Sequence, residues 1–406
     1  MGRGQQNSSK KILVVTPRFP LPATGACEKD RYFNLLQLKA MGHQVEVLTK
    51  VHPSYDKVAV ANFEQSEGIR VITQPYVFMG TRGMGFWLGH LLPWNWDGAA
   101  YEYAHKATRQ ALEEALDTFQ PDLVWFDYTY LWPLYKQVRK RGVPIITRSI
   151  NFEARHFLQE DGYTLINLVR FIPKFISELV TIRLSDWIFA ITPDEAKIYK
   201  SWGGEGKTST LPLRGLSKVL GKQVPVKAGR AVLKVFFMGS TYNVHHNRAA
   251  LEFIIKEIAP LVWKEARDKF VFYILGKQIP ADLDKYITNN VQYVGYQDPV
   301  TYLQDMDIAL VPSLFGAGMQ QKVFEPMALG LPLVTSKRAI AGYPFIAGEH
   351  YLASRALNEF VEQIMLLTDE GLRQKLANAG HRRSQELFAQ DKVDRIVSSV
   401  IDSLIK

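Results

Sequence analysis

The sequence is poor in cysteine and in long apolar runs. Cys27 is the single cysteine of 406 residues, so the chain cannot form an internal disulfide, and a reducing compartment is expected. No stretch of about 20 apolar residues is present, which excludes a membrane-spanning helix. The opening MGRGQQNSSK has no apolar core, so we expect no signal peptide and a disordered tail over residues 1–10. We therefore expect a cytoplasmic protein.

The sequence also lacks the marks of nucleic-acid binding. Its net charge is +9, but it shows neither the interleaved aromatic and basic residues of RNA-recognition motifs nor zinc-finger spacing. His245 and His246 are adjacent and cannot form the two-histidine metal site of a helix, so we expect no metal and no other cofactor. The positive charge is spread over both halves of the chain and suits anionic ligands or an anionic membrane surface.

Apolar runs that alternate with helical stretches predict two successive α/β domains with parallel sheets. In the first domain, residues 11–16, 123–126 and 144–147 have the continuous apolar character of buried strands. The glycine-rich residues 203–229 are poor in long apolar runs and indicate a domain boundary. We expect domains over residues 11–210 and 231–387 with a linker over 211–230.

The stretch from Ile308 to Thr335 has the parts of a diphosphate site. A buried strand is followed by a loop from Gly316 to Gln321 with a second glycine at Gly318, then by a helix that carries Lys322 and Glu325. The glycines allow close approach of an anion, the helix N-terminus adds partial positive charge, and Lys322 adds a full one. Glu325 is placed to bind the two hydroxyls of a ribose. A solvated Lys/Glu pair on a surface helix is the alternative.

Proline chemistry sets where this helix begins. Pro326 would remove a hydrogen bond and clash with the preceding turn if it lay deep in the helix. We therefore expect the helix to start nearby, with Lys322 and Glu325 both in its first turn.

The pattern G-x-G-x-x-x-K-x-x-E-x-M-A-x-G-x-P-x-V in this stretch resembles the nucleotide-sugar site of retaining glycosyltransferases with the GT-B fold, in particular family four. The resemblance implies two doubly wound Rossmann-like domains facing across a cleft, and a final helix over residues 388–406 that crosses back to the first domain. It also implies that Lys322 contacts the donor phosphates and Glu325 the ribose. Many members carry a second glutamate where this chain has Ala317, which leaves the donor sugar undetermined.

Other segments resemble the same family. The phrase around Gly25 is similar to its first loop, where a glycine approaches donor and acceptor, although a simple turn glycine is an equal alternative. Gly239 and Ser240 match a turn that meets the donor diphosphate. Tyr296 follows a strand where the family seats the nucleobase, so it is expected either to stack on the base or to pack in the core.

Two acidic residues of the first domain complete the candidate catalytic set with Lys322. Asp127 ends a predicted parallel strand and faces the ligand edge, where it serves as general base or as a helix cap. Residues 148–153 resemble the R-x-H-N-x-E segment of the family, with Glu153 matching and Ile150 replacing the histidine. A mechanism that depends on that histidine cannot be transferred, and His156 is interpreted as a surface histidine.

Two segments of the first domain carry apolar and basic residues together. Residues 80–97 include Trp87, Trp94 and Trp96, and residues 163–184 form a basic amphipathic helix. Core packing is the favoured interpretation for both, and contact with an anionic membrane is the alternative.

These features predict a glycosyltransferase that moves a sugar from a nucleotide-sugar donor to a glycan or lipid-linked acceptor in surface polysaccharide or glycoconjugate synthesis. A nucleotide-sugar epimerase of the same fold and a non-catalytic nucleotide-sugar-binding subunit are the alternatives. A dinucleotide oxidoreductase is disfavoured because the loop lacks a third glycine. Weak contact with the inner face of the membrane stays open.

Overall fold

A computed structural model describes residues 9–23, 25–51, 56–75, 84–89, 92, 95–221, 223–287, 290–314 and 319–405. The chain divides into two compact units. The first runs to Gly215 and includes the residues from Val393 onward, and the second spans Leu216–Lys392. The division at residue 215 falls inside the predicted linker.

The first unit is built on a parallel sheet whose strand order is β3-β2-β1-β4-β5-β6-β7. Its strands are β1 (Lys11–Thr16), β2 (Gln44–Val51), β3 (Arg70–Pro75), β4 (Leu123–Phe126), β5 (Ile145–Arg148), β6 (Trp187–Ala190) and β7 (Thr208–Thr210). Ile12 pairs with Val45 on one side and with Leu123 on the other. The strand order therefore reverses direction between β1 and β4, the position at which open α/β sheets bind ligands.

Helices cover both faces of this sheet. They are α1 (Ala26–Ala40), α2 (Asp56–Glu67), α3 (Met84–Gly89), α4 (Gly98–Glu102), α5 (Lys106–Phe119), α6 (Tyr135–Lys140), α7 (Glu153–Asp161), α8 (Leu165–Leu184) and α9 (Pro193–Tyr199), with a 3₁₀ helix at Thr129–Leu134. Side-chain hydrogen bonds cap the N-termini of α8 and α9. The Thr164 hydroxyl accepts a hydrogen bond from the Asn167 amide, and the Thr192 hydroxyl accepts one from the Glu195 amide.

The second unit repeats the topology, with strand order β10-β9-β8-β11-β12-β13. Its strands are β8 (Leu233–Thr241), β9 (Phe270–Lys277), β10 (Val291–Gly295), β11 (Ile308–Val311), β12 (Leu333–Ser336) and β13 (Leu352–Ser354). The reversal point lies between β8 and β11, where Ile308 pairs with Val235. Both units are thus doubly wound, as the sequence predicts.

Helices of the second unit surround this sheet. They are α10 (His245–Phe253), which continues through a π-helical turn at Ile254–Ile258 into α11 (Ala259–Glu265), α12 (Pro299–Leu303), α13 (Gln321–Ala328), α14 (Leu357–Leu366) and α15 (Glu370–Phe388), with a 3₁₀ helix at Ala281–Tyr286. A further 3₁₀ helix, Arg214–Lys218, contains the point in the sequence at which the chain divides. The last helix, α16 (Gln390–Leu404), buries Val393, Val397 and Ile401 in the core of the first unit, beside Ile12.

Two element boundaries differ from the prediction. Helix α1 begins at Ala26 rather than near residue 30, because Gly25 is its N-cap and Glu28 lies in its first turn. Strand β8 continues to Thr241, so Gly239 and Ser240 lie in the strand instead of forming a turn. The glycine at 239 is required for a steric reason and not for a turn, because a Cβ there would lie 2.7 Å from the buried ring of Tyr242.

The favoured core packing of helix 163–184 is wrong for one face of α8. Its inner face packs with α7 and β6, but a stripe of apolar side chains faces outward, with exposed fractions between 44% for Leu168 and 83% for Leu165. The other members are Ile166, Val169, Ile172 and Ile176. None of the helices in the described ranges is long and apolar enough to cross a membrane.

In residues 80–97, the favoured core packing is wrong for Trp96, which is half exposed. The Trp87 side chain and Trp94 lie outside the described residues.

Candidate functional site

Lys322 lies at the reversal point of the second sheet. It is the second residue of α13, and its Nζ donates a hydrogen bond of 3.0 Å to Oδ1 of Asn247 on α10. The Asn247 side chain is itself fixed, because its Nδ2 donates to the carbonyl of Thr241 at the end of β8. The ammonium group also lies 5.5 Å from the ring centre of Phe237. The lysine is thus positioned by the carboxyl end of β8.

The charge of Lys322 is poorly compensated. Burial lowers the pKa of its ammonium group to about 8. In the described part of the chain no carboxylate forms an ion pair with it, and its hydrogen-bond acceptor is a neutral amide. A half-buried cation without a counter-charge favours binding of an anion.

Glu325 follows on the same helix but not in its first turn. Helix α13 begins at Gln321, so Glu325 is its fifth residue and Pro326 its sixth, which corrects the expected placement by about half a turn. The Glu325 side chain is 4% exposed, and its charge adds to the burial that raises the pKa of Tyr343. The Tyr343 hydroxyl donates to the carbonyl of Gln320, the N-cap of the helix.

The remaining candidate residues of the second unit differ in exposure, and some lie outside the described residues. Gly316 and Gly318 lie outside the described residues, as does the Ser240 side chain, and Gln321 is half-buried at the helix start. Tyr296 is 59% exposed, with the Lys277 ammonium 4.7 Å from its ring centre, so packing in the core is not its role. Stacking on a nucleobase stays a prediction.

Asp127 is a buried carboxyl at the reversal point of the first sheet. It is 1% exposed, and its Oδ1 accepts hydrogen bonds from Asn34 Nδ2 (3.3 Å) and Trp125 Nε1 (3.0 Å). Burial raises the pKa of this carboxyl to about 6. Its side chain does not cap the 3₁₀ helix that begins at Thr129. The helix-cap interpretation is therefore wrong, and the general-base role stays a prediction.

Glu153 begins α7 and contacts the segment that follows Asp127. Its Oε1 accepts a hydrogen bond of 2.5 Å from the Tyr128 hydroxyl. Its own backbone amide donates to Glu178. Both carboxyl candidates of the first unit are thus held by fixed neighbours.

The sequence interpretation missed a buried ion-pair group next to these residues. Asp30 on α1 accepts hydrogen bonds from Arg148 Nε (3.1 Å) and Arg214 Nη2 (2.7 Å), and all three side chains are fully buried. The two guanidinium groups hold the pKa of Asp30 well below its usual range, against the effect of burial. Arg148, the first residue of the R-x-H-N-x-E-like segment, therefore serves to link β5 to α1.

Asn247 and Arg31 are the other polar residues that sequence interpretation missed. Asn247 is 75 residues from its partner Lys322, and no local pattern links them. Arg31 lies one residue after Asp30 on the buried face of α1, where most of the side chains are polar and the usual apolar signal of a buried face is therefore weak. Among the described residues, no group of three His, Cys, Asp or Glu side chains is arranged to hold a metal ion.

Part of the second unit matches the sequence model of a known family. Residues 233–370 match the model of the family described as glycosyl transferases group 1. That region contains the Lys322 helix and all six strands of the second sheet. No curated protein matches the chain by sequence.

Solved structures of similar architecture cover almost the whole chain. Sucrose-phosphate synthase from Thermosynechococcus elongatus has a TM-score of 0.71 at 16% identity, covering 97% of this chain and 99% of that one. HepE from Anabaena in complex with UDP has a TM-score of 0.64 at 14% identity, covering 97% and 100%. A UDP-forming α,α-trehalose-phosphate synthase from Burkholderia xenovorans has a TM-score of 0.61 at 14% identity, covering 98% and 100%. These likenesses show the GT-B fold. On this fold, the family match over residues 233–370 indicates a glycosyltransferase.

Proposed function

We propose that the protein transfers a sugar from a nucleotide-sugar donor to a glycan or lipid-linked acceptor. The half-buried ammonium of Lys322 carries this proposal, because a neutral amide holds it at the carboxyl end of β8 without a carboxylate partner in the described residues. A nucleotide-sugar presents a diphosphate that supplies the missing negative charge. The free amides at the N-terminus of α13 favour the same ligand.

Each candidate residue has a role in this proposal. Lys322 and the first amides of α13 stabilise the nucleotide diphosphate as negative charge develops on it and its bond to the sugar breaks. Glu325 binds the ribose, Tyr296 stacks on the base, and Asp127 and Glu153 are the candidates for activating the acceptor. The other predicted donor contacts are Gly25, Gly239, Ser240, Gly316, Gly318 and Gln321. Retention of configuration at the transferred sugar is expected from the family resemblance, with no metal or other cofactor.

Calorimetric titration with UDP tests the donor site, because two of the similar structures name UDP. We expect Lys322→Ala to weaken UDP binding by about 1 to 3 kcal/mol, the scale of a lost charge-assisted hydrogen bond. Lys264→Ala, which removes an exposed lysine of the same unit, is the control and should leave the affinity unchanged. Equal UDP affinity in the wild type and Lys322→Ala would show that Lys322 has no part in nucleotide binding.

Transfer is separated from epimerisation by the need for an acceptor. A thermal-shift screen of nucleotide-sugars identifies the donor, because a tight ligand raises the stability of the folded state. Release of the nucleotide from that donor is then measured with and without candidate acceptors. Acceptor-dependent release supports transfer, whereas conversion of the donor sugar without any acceptor supports the epimerase.

We further propose that the first unit contacts an anionic membrane surface, where a lipid-linked acceptor would be presented. The outward stripe of α8 supports this, because the exposed charged residues of the same helix, Arg170 and Arg183, are both basic. Two half-exposed tryptophans adjoin the same helix: Trp202 packs on Phe175, and Trp96 precedes Asp97, whose carboxylate accepts from the Ser177 hydroxyl. Tryptophan, apolar and basic side chains together favour the bilayer interface. Flotation with anionic liposomes measures this contact.

A further inference from the structure

A cavity of about 280 Å³ lies at the reversal point of the first sheet. It is formed by residues that follow β1, by the second turn of α1, by α4 and by the 3₁₀ helix after β4. The polar side chains that line it are those of Arg18, Arg31, Glu102, Tyr103 and Tyr130. Its volume is close to the lower end of the range for small-molecule sites, which suits one sugar-sized group.

Arg31 is the most unusual of these side chains. It is 8% exposed, and its guanidinium lies 5.4 Å from the ring centre of Tyr128. Among the described residues it forms neither an ion pair nor a hydrogen bond, and its buried Nε has no acceptor. A buried guanidinium normally binds a carboxylate or several carbonyl oxygens, as Arg148 does in the same unit. Arg31 therefore lines the cavity with its hydrogen-bonding capacity unused.

The acidic groups nearby accept no hydrogen bond from Arg31 in the described residues. Glu102 is paired with the buried Lys50, whose Nζ lies 3.1 Å from its Oε1. Against the effect of burial, the charge of Asp127 helps to raise the pKa of Arg31, but the Oδ1 of Asp127 accepts its hydrogen bonds from Asn34 and Trp125.

A second arginine lines the same cavity. Arg18 is exposed there and adds its positive charge to that of Arg31. Asp30 forms its ion pairs with Arg148 and Arg214. The cavity wall thus carries two guanidinium groups.

We propose that this cavity binds a phosphate group carried by the acceptor, with Arg31 as its main ligand and Arg18 as a second cation on the solvent side. The proposal deepens the proposed function, on which it rests, by giving the acceptor a charged group. A guanidinium suits this role because its planar donors match phosphate oxygens in pairs. The Tyr130 hydroxyl, which also lines the cavity, is a third donor. A sugar phosphate and a lipid diphosphate both supply such a group.

Binding of inorganic phosphate and of glucose 6-phosphate to the full chain, measured by calorimetry, tests the site. We expect Arg31→Met to weaken both by roughly tenfold or more, with a smaller loss for Arg31→Lys, which keeps the charge but not the paired donors. Arg70→Met is the control, since Arg70 is an exposed arginine on β3. Circular dichroism of each variant reports whether it is folded. Equal phosphate affinity in the wild type and a folded Arg31→Met or Arg31→Lys would overturn the proposal.

Competition distinguishes the source of the phosphate from an adventitious anion. Glucose 6-phosphate and farnesyl diphosphate are each titrated against bound inorganic phosphate, with glucose as the uncharged control. Tighter binding of either phosphate ester than of inorganic phosphate supports an acceptor site and identifies its class. If neither ester binds more tightly, the cavity holds an adventitious ion only and the proposal fails. UDP affinity, which depends on Lys322 in the other unit, should be the same in all Arg31 variants. A wild-type protein that does not bind UDP would instead contradict the proposed donor site.

Discussion

The protonation state of one lysine controls the charge of the proposed donor site. Lys322 has no carboxylate to stabilise its ammonium in the described residues, so burial alone lowers its pKa to about 8. At neutral pH the side chain is still mostly protonated and is able to bind a diphosphate. Above its pKa the ammonium becomes an amine, and the site loses the charge that attracts the ligand.

UDP affinity should therefore fall in alkaline solution. Between about pH 7 and about pH 9 we expect roughly tenfold weaker binding, because the protonated fraction of Lys322 falls by that factor. Calorimetry across this range gives the profile. Lys322→Arg is the matched control, since arginine does not titrate here and its profile should be flat. Profiles of equal slope for lysine and arginine would assign the pH dependence to another group.

A second perturbed group, Glu178, connects several elements of the first unit. Its carboxyl accepts hydrogen bonds from the Glu153 amide, the Thr129 hydroxyl and the Tyr199 hydroxyl, and thereby joins α8 to α7, the 3₁₀ helix and α9. Burial raises the pKa of Glu178 to about 8. The folded protein therefore keeps this proton at neutral pH, and the three contacts are made to an uncharged carboxyl.

The stability of the first unit should depend on pH through Glu178. Between the ordinary pKa of 4.5 and the folded value of about 8, only the unfolded chain releases this proton. At pH values below 4.5, Glu178 therefore makes its full contribution to the free energy of unfolding. This contribution falls by up to about 1.4 kcal/mol per pH unit as the pH rises towards about 8, the pKa in the folded protein. Glu178→Gln keeps the shape of the side chain but does not ionise. We therefore expect its free energy of unfolding to increase relative to that of the wild type by about 1 to 3 kcal/mol as the pH rises across this range.

Urea unfolding of both proteins at several pH values measures the difference between them, which removes the contributions of other carboxyls. Glu160→Gln, an exposed change at the end of α7, should show no such trend. A constant difference between the wild type and Glu178→Gln would mean that Glu178 is ionised in the folded state.

The central strands could be predicted from sequence, and the edge strands of the first sheet could not. The bounds of β1, β4 and β11 match the prediction, because strands covered on both faces are continuous apolar runs. The edge strands β3 and β7 are polar or short and have no such signal.

Polar contacts within the candidate sites were also beyond sequence interpretation. The Lys322 contact with Asn247 depends on how α13 and α10 meet at the reversal point of the second sheet. A similar limit applies to α8, since an apolar stripe has the same period whether it packs on a sheet or faces outward.

At the scale of the whole molecule, the outward stripe of α8 gives one surface an apolar and basic character. Each basic residue near an anionic bilayer contributes about 1 kcal/mol, and the apolar side chains contribute by leaving water. The two terms together favour reversible attachment that weakens with salt. A second copy of the chain covering the same stripe would instead give a dimer, with little dependence on lipid charge.

Flotation with liposomes decides between these partners. We expect the protein to float with anionic vesicles at low salt, less at high salt, and least with neutral vesicles. Val169→Asn with Ile172→Asn should remove flotation, because both side chains lie in the exposed stripe. Ile346→Asn changes an exposed isoleucine of the second unit and should not. A wild-type protein that stays at the bottom of the gradient with anionic vesicles would contradict membrane contact. If it also sediments as a dimer that the α8 changes dissociate, the stripe is an interface between copies, and a soluble acceptor becomes the better hypothesis.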